Sequence, residues 1–127
     1  MIVVDATTIV SGLLMRGDAR DFLANKELHV PTLADSEIVS TLTRMVRNKD
    51  LAATAAKSTL DAWLGIAVQR HTAYADMLRM WDLRQNVKAY DATYVALAER
   101  LQIPLVTCDK RLATAAGVKC QLVLVTG

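Results

Sequence analysis

Cysteine is scarce in this chain: 127 residues hold two, Cys108 and Cys120. Two cysteines are too few for a disulfide framework or a cysteine-based zinc site, and they suit a reducing, cytoplasmic setting. No apolar run approaches the roughly 18 residues that a membrane-spanning helix needs. The opening stretch MIVVDATTIV lacks a basic segment and a small-residue cleavage site, so no signal peptide is expected. Proline is equally rare. Pro31 and Pro104 each border a short apolar run and mark loop–strand junctions. Neither charge sign dominates, since 15 Lys and Arg against 13 Asp and Glu leave +2. That balance permits an anionic partner such as RNA without demanding one.

What remains is 53% hydrophobic and 22% charged, the composition of a globular chain with a modest core, and its length suits one domain over 1–127. Strands are predicted at Ile2–Val4, Leu28–Val30, Leu105–Thr107 and Gln121–Val125, because each is short, rich in β-formers and apolar throughout, as buried parallel strands are. Helices are predicted over Thr8–Met15, Asp18–Asn25, Leu33–Asn48, Asp50–Gln69, Ala73–Leu83, Asp91–Leu101 and Asp109–Ala116. The segment from Asp91 is apolar on nearly every side, which marks a buried helix. Strands alternating with helices predict an α/β fold around a parallel sheet. The long helical middle, about 33–101, exceeds one crossover and suggests an inserted helical hairpin.

Two aspartates frame the stretch AYDATYVALAERLQIPLVTCDKRL. A helix from Asp91 to Arg100 runs out about 15 Å. The turn at QIP reverses the chain, and the strand to Thr107 returns about 13–17 Å. Asp91 and Asp109 therefore meet at the carboxyl edge of the sheet. Asp5, just past the first strand, reaches the same edge if the two strands are parallel, and in open parallel sheets ligands bind there. Glu37 lies on the flank of the apolar face of its helix and can point to the same crevice. Each acid alone reads as a helix cap or a surface charge. Three at one edge with a fourth in reach are harder to dismiss. Packed carboxylates repel, and a divalent cation relieves them. An all-oxygen set favours Mg²⁺, with Mn²⁺ as a substitute, and the chemistry that follows is phosphodiester hydrolysis by metal-activated water.

Three blocks, MIVVDATTIV, PTLADSEIVSTLTRMVR and LRQNVKAYDATYVALAERLQIPLVTCDKRLATAAG, resemble in order and spacing the PIN-domain ribonuclease toxins of the VapC type. The resemblance covers nearly the whole chain and is weakest over residues 50–73. It implies an α/β/α sandwich around a parallel sheet and a Mg²⁺-dependent endoribonuclease of a type II toxin–antitoxin system. It also implies a cognate VapB-type antitoxin as partner, and a homodimer. By position, the four acids fall on Asp5, Glu37, Asp91 and Asp109, as catalytic and metal-holding groups. The hydroxyl that often follows the first acid falls on Thr7, and the one that often precedes the last falls on Thr107.

Weaker signals surround these. Arg84, Asn86, Lys88, Lys110 and Arg111 flank the third and fourth acids and are candidates for phosphate contacts, although singly each reads as surface. Arg44, Arg47 and Lys49 read as solvated charges at a helix end. His29 and His71 have no partner at catalytic spacing and read as structural. Trp63, Met77 and Trp81 read as core or interface. The competing function is a PIN-like module that binds RNA or protein without cutting. A receiver domain would need paired acids after the first strand and an Asp directly after LHV, and a haloacid-dehalogenase-type phosphatase would need Asp-x-Asp where this chain has Asp5-Ala6-Thr7.

Overall fold

In a computed structural model, which describes residues 1–126, five short strands form a single sheet. They are β1 (Ile2–Val4), β2 (Leu28–Pro31), β3 (Val68–His71), β4 (Leu105–Thr107) and β5 (Leu122–Leu124). All neighbours are parallel, in the order β3-β2-β1-β4-β5. Seven helices connect them: α1 (Ala6–Leu14), α2 (Asp18–Asn25), α3 (Leu33–Arg47), α4 (Ala53–Leu64), α5 (Met77–Asp82), α6 (Ala89–Leu101) and α7 (Lys110–Ala113). A 3₁₀ turn at Tyr74–Asp76 leads into α5. Among the described residues, no helix is long and apolar enough to cross a membrane.

The right-handed rule for parallel crossovers explains the two helical layers. Stepping outward from β1 to β2 to β3 lays α1–α4 against one another on one face. The return from β3 to β4 carries α5 and α6 to the other face, where α6 crosses β1, β2 and β4. The sheet is thus covered on both sides, and Val3, Val4, Leu105 and Val106 at its centre have no exposure. Helix α6 is buried continuously from Ala92 to Ala98, as its all-round apolar pattern predicts. On the opposite face α2 lies so near α1 that a Cβ on Gly12 would stand 2.6 Å from Leu23 Cδ1.

Strands β1 and β4 and helix α2 have the predicted bounds. The segment 50–73 does not. Its spacing predicts one helix over Asp50–Gln69, but α4 stops at Leu64, Gly65 turns the chain, and the Ile66 amide folds back on Trp63 O at 3.1 Å. Residues Val68–His71 then pair with Leu28–Pro31 as β3. As an edge strand, β3 leaves Gln69 and Arg70 exposed, so it lacks the apolar run that advertises a buried strand. The expected insertion is therefore a pair of packed helices, α3 and α4, followed by a fifth strand. Helix α1 begins at Ala6 rather than Thr8 because Asp5 caps it, and α6 begins two residues before Asp91.

Candidate active site

The chain leaves β1 toward one edge of the sheet and later returns to pair β4 on the other side of β1. At such a reversal the connections diverge and leave a crevice beyond the carboxyl ends of the two strands. Asp5 directly follows β1, and Cys108 and Asp109 directly follow β4. The hydroxyl of Thr107 joins them. It donates to Asp5 Oδ2 at 2.6 Å and accepts the Asp109 amide at 3.0 Å. Thr8 holds the other Asp5 oxygen, through its amide at 3.1 Å and through its hydroxyl. That hydroxyl also accepts the Cys108 amide at 2.9 Å. Asp5 is the N-cap of α1, and an N-cap carboxylate reaches the amide three residues on. Hence Thr8, and not the expected Thr7, is the hydroxyl that secures the first acid. Thr7 is exposed and forms part of the cavity wall.

Asp109 caps α7 in the same way, accepting the amides of Arg111 at 2.9 Å and Leu112 at 3.4 Å. Asp91 does not cap. It is the third residue of α6, whose N-cap position is Lys88. Glu37 comes from α3, two turns after β2, and Tyr94 of α6 donates its hydroxyl to Glu37 Oε1 at 2.5 Å. All four predicted acids line one cavity of about 410 Å³.

Helix α3 gives that cavity more than Glu37. Ser40, Thr41 and Arg44 follow at three, four and seven residues, one helical face, and all line it. Arg44 is exposed in the last turn of α3, as expected, and it also lines the cavity wall. A smaller cavity of about 140 Å³ adjoins across Asp91 and Asp109, and Asn86, Lys88 and Arg111 line it. Arg84 instead lies over the Trp81 ring, 4.1 Å from its centre. His29 and His71 stand apart from these acids and contact each other, Nδ1 to Nε2, at 2.9 Å.

The electrostatics are those of crowded acids. Burial is the main force raising the Asp5 pKa; the Thr107 and Thr8 bonds oppose it, and Asp109 adds to it. Asp91 is raised by burial and then by Asp109, Asp5 and Glu37 in turn. Burial and the Glu37 carboxylate push the Tyr94 hydroxyl far above its ordinary value, so it is a proton donor and no base. Four carboxylates with the hydroxyls of Thr7, Ser40, Thr41 and Tyr94 in the same wall are a donor set for a hard divalent cation. Cys108 adds one thiol to the wall that an all-oxygen reading leaves out. Among the described residues, no three acid, histidine or cysteine side chains are already disposed to enclose an ion. The chemistry of the set, oxygen donors throughout, fits Mg²⁺.

Comparison with known proteins follows the same lines. The profile of the PIN domain matches residues 2–118. VapC ribonuclease Mb0985 of Mycobacterium bovis is 43% identical over 125 residues, which are 98% of each chain. Among solved structures, PAE2754 of Pyrobaculum aerophilum superimposes with a TM-score of 0.73 at 23% identity, over 97% of this chain and 83% of that one. A toxin–antitoxin complex from Klebsiella pneumoniae gives 0.65 at 16% identity, over 97% and 96%.

Proposed function

The chain belongs to the PIN-domain family and to its VapC ribonucleases, and on that premise we propose that it is a Mg²⁺-dependent endoribonuclease, the toxin of a type II toxin–antitoxin pair. One observation carries the reading: Asp5, Glu37, Asp91 and Asp109 line a single cavity at the reversal point of a parallel sheet. Asp5, Asp91 and Asp109, with Glu37, would hold the cation. When bound, Mg²⁺ supplies charge neutralisation at the phosphodiester and activation of water for in-line attack. The chain's own residues orient and bind. Thr8 and Thr107 fix Asp5, and the first turn of α7 fixes Asp109. Arg44 on one side of the acids, and Lys88 and Arg111 on the other, face a phosphate backbone that crosses them. Tyr94 stays protonated and is not the nucleophile.

The partners follow from the same premise: RNA as substrate, a cognate VapB-type antitoxin, and a second copy in a homodimer. Exposed Met77, Leu78 and Trp81 on α5 support protein docking, because a monomer gains nothing from showing three large apolar side chains on one short helix. Two free cysteines suit the cytoplasm.

Purified protein incubated with total RNA, with Mg²⁺ or with EDTA and beside Asp5→Ala, tests the reading. Discrete cuts that need Mg²⁺ and vanish in the variant support it. Intact RNA from well-folded, inhibitor-free protein would turn the assignment to a PIN-like module that binds without cutting.

A further inference from the structure

Each acid of the cavity except Asp91 has a donor that fixes it. Asp5 has Thr8 and Thr107, and Asp109 has the backbone of α7. Among the described residues, Glu37 has Tyr94 alone of the side chains that bond it. We propose that Tyr94 is a positioning residue, which sets Glu37 for cation binding by holding one carboxylate oxygen and leaving the other to face the cavity. The inference rests on the reading of this cavity as a metal-dependent site.

The geometry behind it is specific. Tyr94 follows Asp91 by three residues on α6, so the two share a helix face, and both line the cavity. Its ring is 1% exposed, packed in the core, and cannot swing away. Its hydroxyl is the single polar atom it brings to the wall, and it meets Glu37 Oε1 at 2.5 Å. Glu37 is attached to a different layer, through α3, and a glutamate has three side-chain torsions to restrain. The bond therefore links helix α6 to helix α3 in the wall of the site. Ala6 lines the same cavity as this ring. Ala6 directly follows Asp5, so the cavity wall that holds this phenol also holds the turn that bears the first acid. With Oε1 engaged, Glu37 offers one oxygen, and its direction is set before any ion arrives.

A double-mutant cycle read by metal binding tests the idea. Wild type, Tyr94→Phe, Glu37→Gln and the double variant are titrated with Mn²⁺ by calorimetry without RNA, then assayed on an RNA that the wild type cuts. Tyr94→Phe is expected to keep its circular dichroism spectrum and to weaken Mn²⁺ binding about 10-fold, the usual effect of losing a partner behind a ligand. On top of Glu37→Gln it is expected to add less than about 2-fold, because it acts through Glu37. Equal Mn²⁺ affinity in wild type and Tyr94→Phe overturns the proposal. So does a full further loss in the double variant, which would assign Tyr94 to packing alone. Wild type that binds Mn²⁺ yet cuts no RNA would defeat the ribonuclease reading, and the affinities would still decide on Tyr94. Wild type that binds no Mn²⁺ defeats both. If Tyr94→Phe does not fold, Glu37→Asp breaks the same bond with the ring intact and the charge kept. It is expected to show the same loss, and an unchanged affinity would overturn the proposal.

Discussion

Trp63 donates its indole N–H to Asp35 at 2.9 Å, tying α4 to α3 where the chain leaves the helical layer for β3. Arg70 of β3 holds the same carboxylate through two N–H groups, at 2.7 and 3.0 Å, and lies over the Trp63 ring. One acid thereby joins three elements. Its two halves are unequal. The Arg70 pair is well exposed, and such pairs are worth little. Trp63 is 1% exposed, and an unpaired buried N–H is expensive.

Asp35→Ala is therefore expected to destabilise the fold by about 1–3 kcal/mol, chiefly through the orphaned indole. Arg70→Ala should cost well under half of that. Chemical denaturation measures both. Asp35 lies outside the wall of the acid cavity, so the cleavage rate of Asp35→Ala at 25 °C should match wild type.

Stability should also fall in mild acid, through His71. Burial, His29 and Arg100 hold its pKa below the ordinary 6.5, and Asp76 opposes them. The folded state thus binds the proton less readily than the unfolded state. Stability from this source is present above pH 6.5 and is lost as the pH falls through 6.5 toward the lowered folded value. Denaturation midpoints from pH 7.5 to 5 should show a decline in wild type that flattens in His71→Gln.

Asp91→Asn should separate stability from activity. Burial and three neighbouring acids oppose the Asp91 charge. Removing that charge is expected to raise the melting temperature of metal-free protein by a few degrees, about 1 kcal/mol, and to abolish cleavage. Added Mg²⁺ should stabilise wild type and leave Asp91→Asn unmoved. A drop in the melting temperature of the metal-free variant would show that Asp91 has a structural partner instead.

Arg44→Ala is expected to weaken RNA binding at every sequence alike, because a phosphate contact carries no base information. The slope of log affinity against log salt should fall by about one. Fluorescence anisotropy at several salt concentrations reads both, and an unchanged slope would return Arg44 to the solvent.

The sequence carried the frame of the site. Asp5 and Asp109 follow apolar strands, and the out-and-back lengths around QIP place Asp91 beside Asp109. These are consequences of helix rise and strand rise alone, and the cavity walls agree with them. What escaped depends on side-chain direction. Tyr94 sits in a helix that is apolar all round, so nothing local shows that its hydroxyl has a partner 57 residues away. Thr8 and Thr7 are both threonines, and only the geometry of the cap chooses between them. Arg44 did have a signal. It lies seven residues after Glu37, with Ser40 and Thr41 between, a polar stripe along one helix face. β3 had none, because an exposed edge strand carries a polar sequence.

The partnership of Asp5 with Thr107 has a consequence for biosynthesis. Thr8, three residues on, holds one oxygen of the first acid, but the hydroxyl that holds the other comes 102 positions later in the chain. Strand β1 lies inside the sheet and waits for β4 as its second neighbour. Until that strand has left the ribosome, the growing chain carries acids but no crevice to hold them.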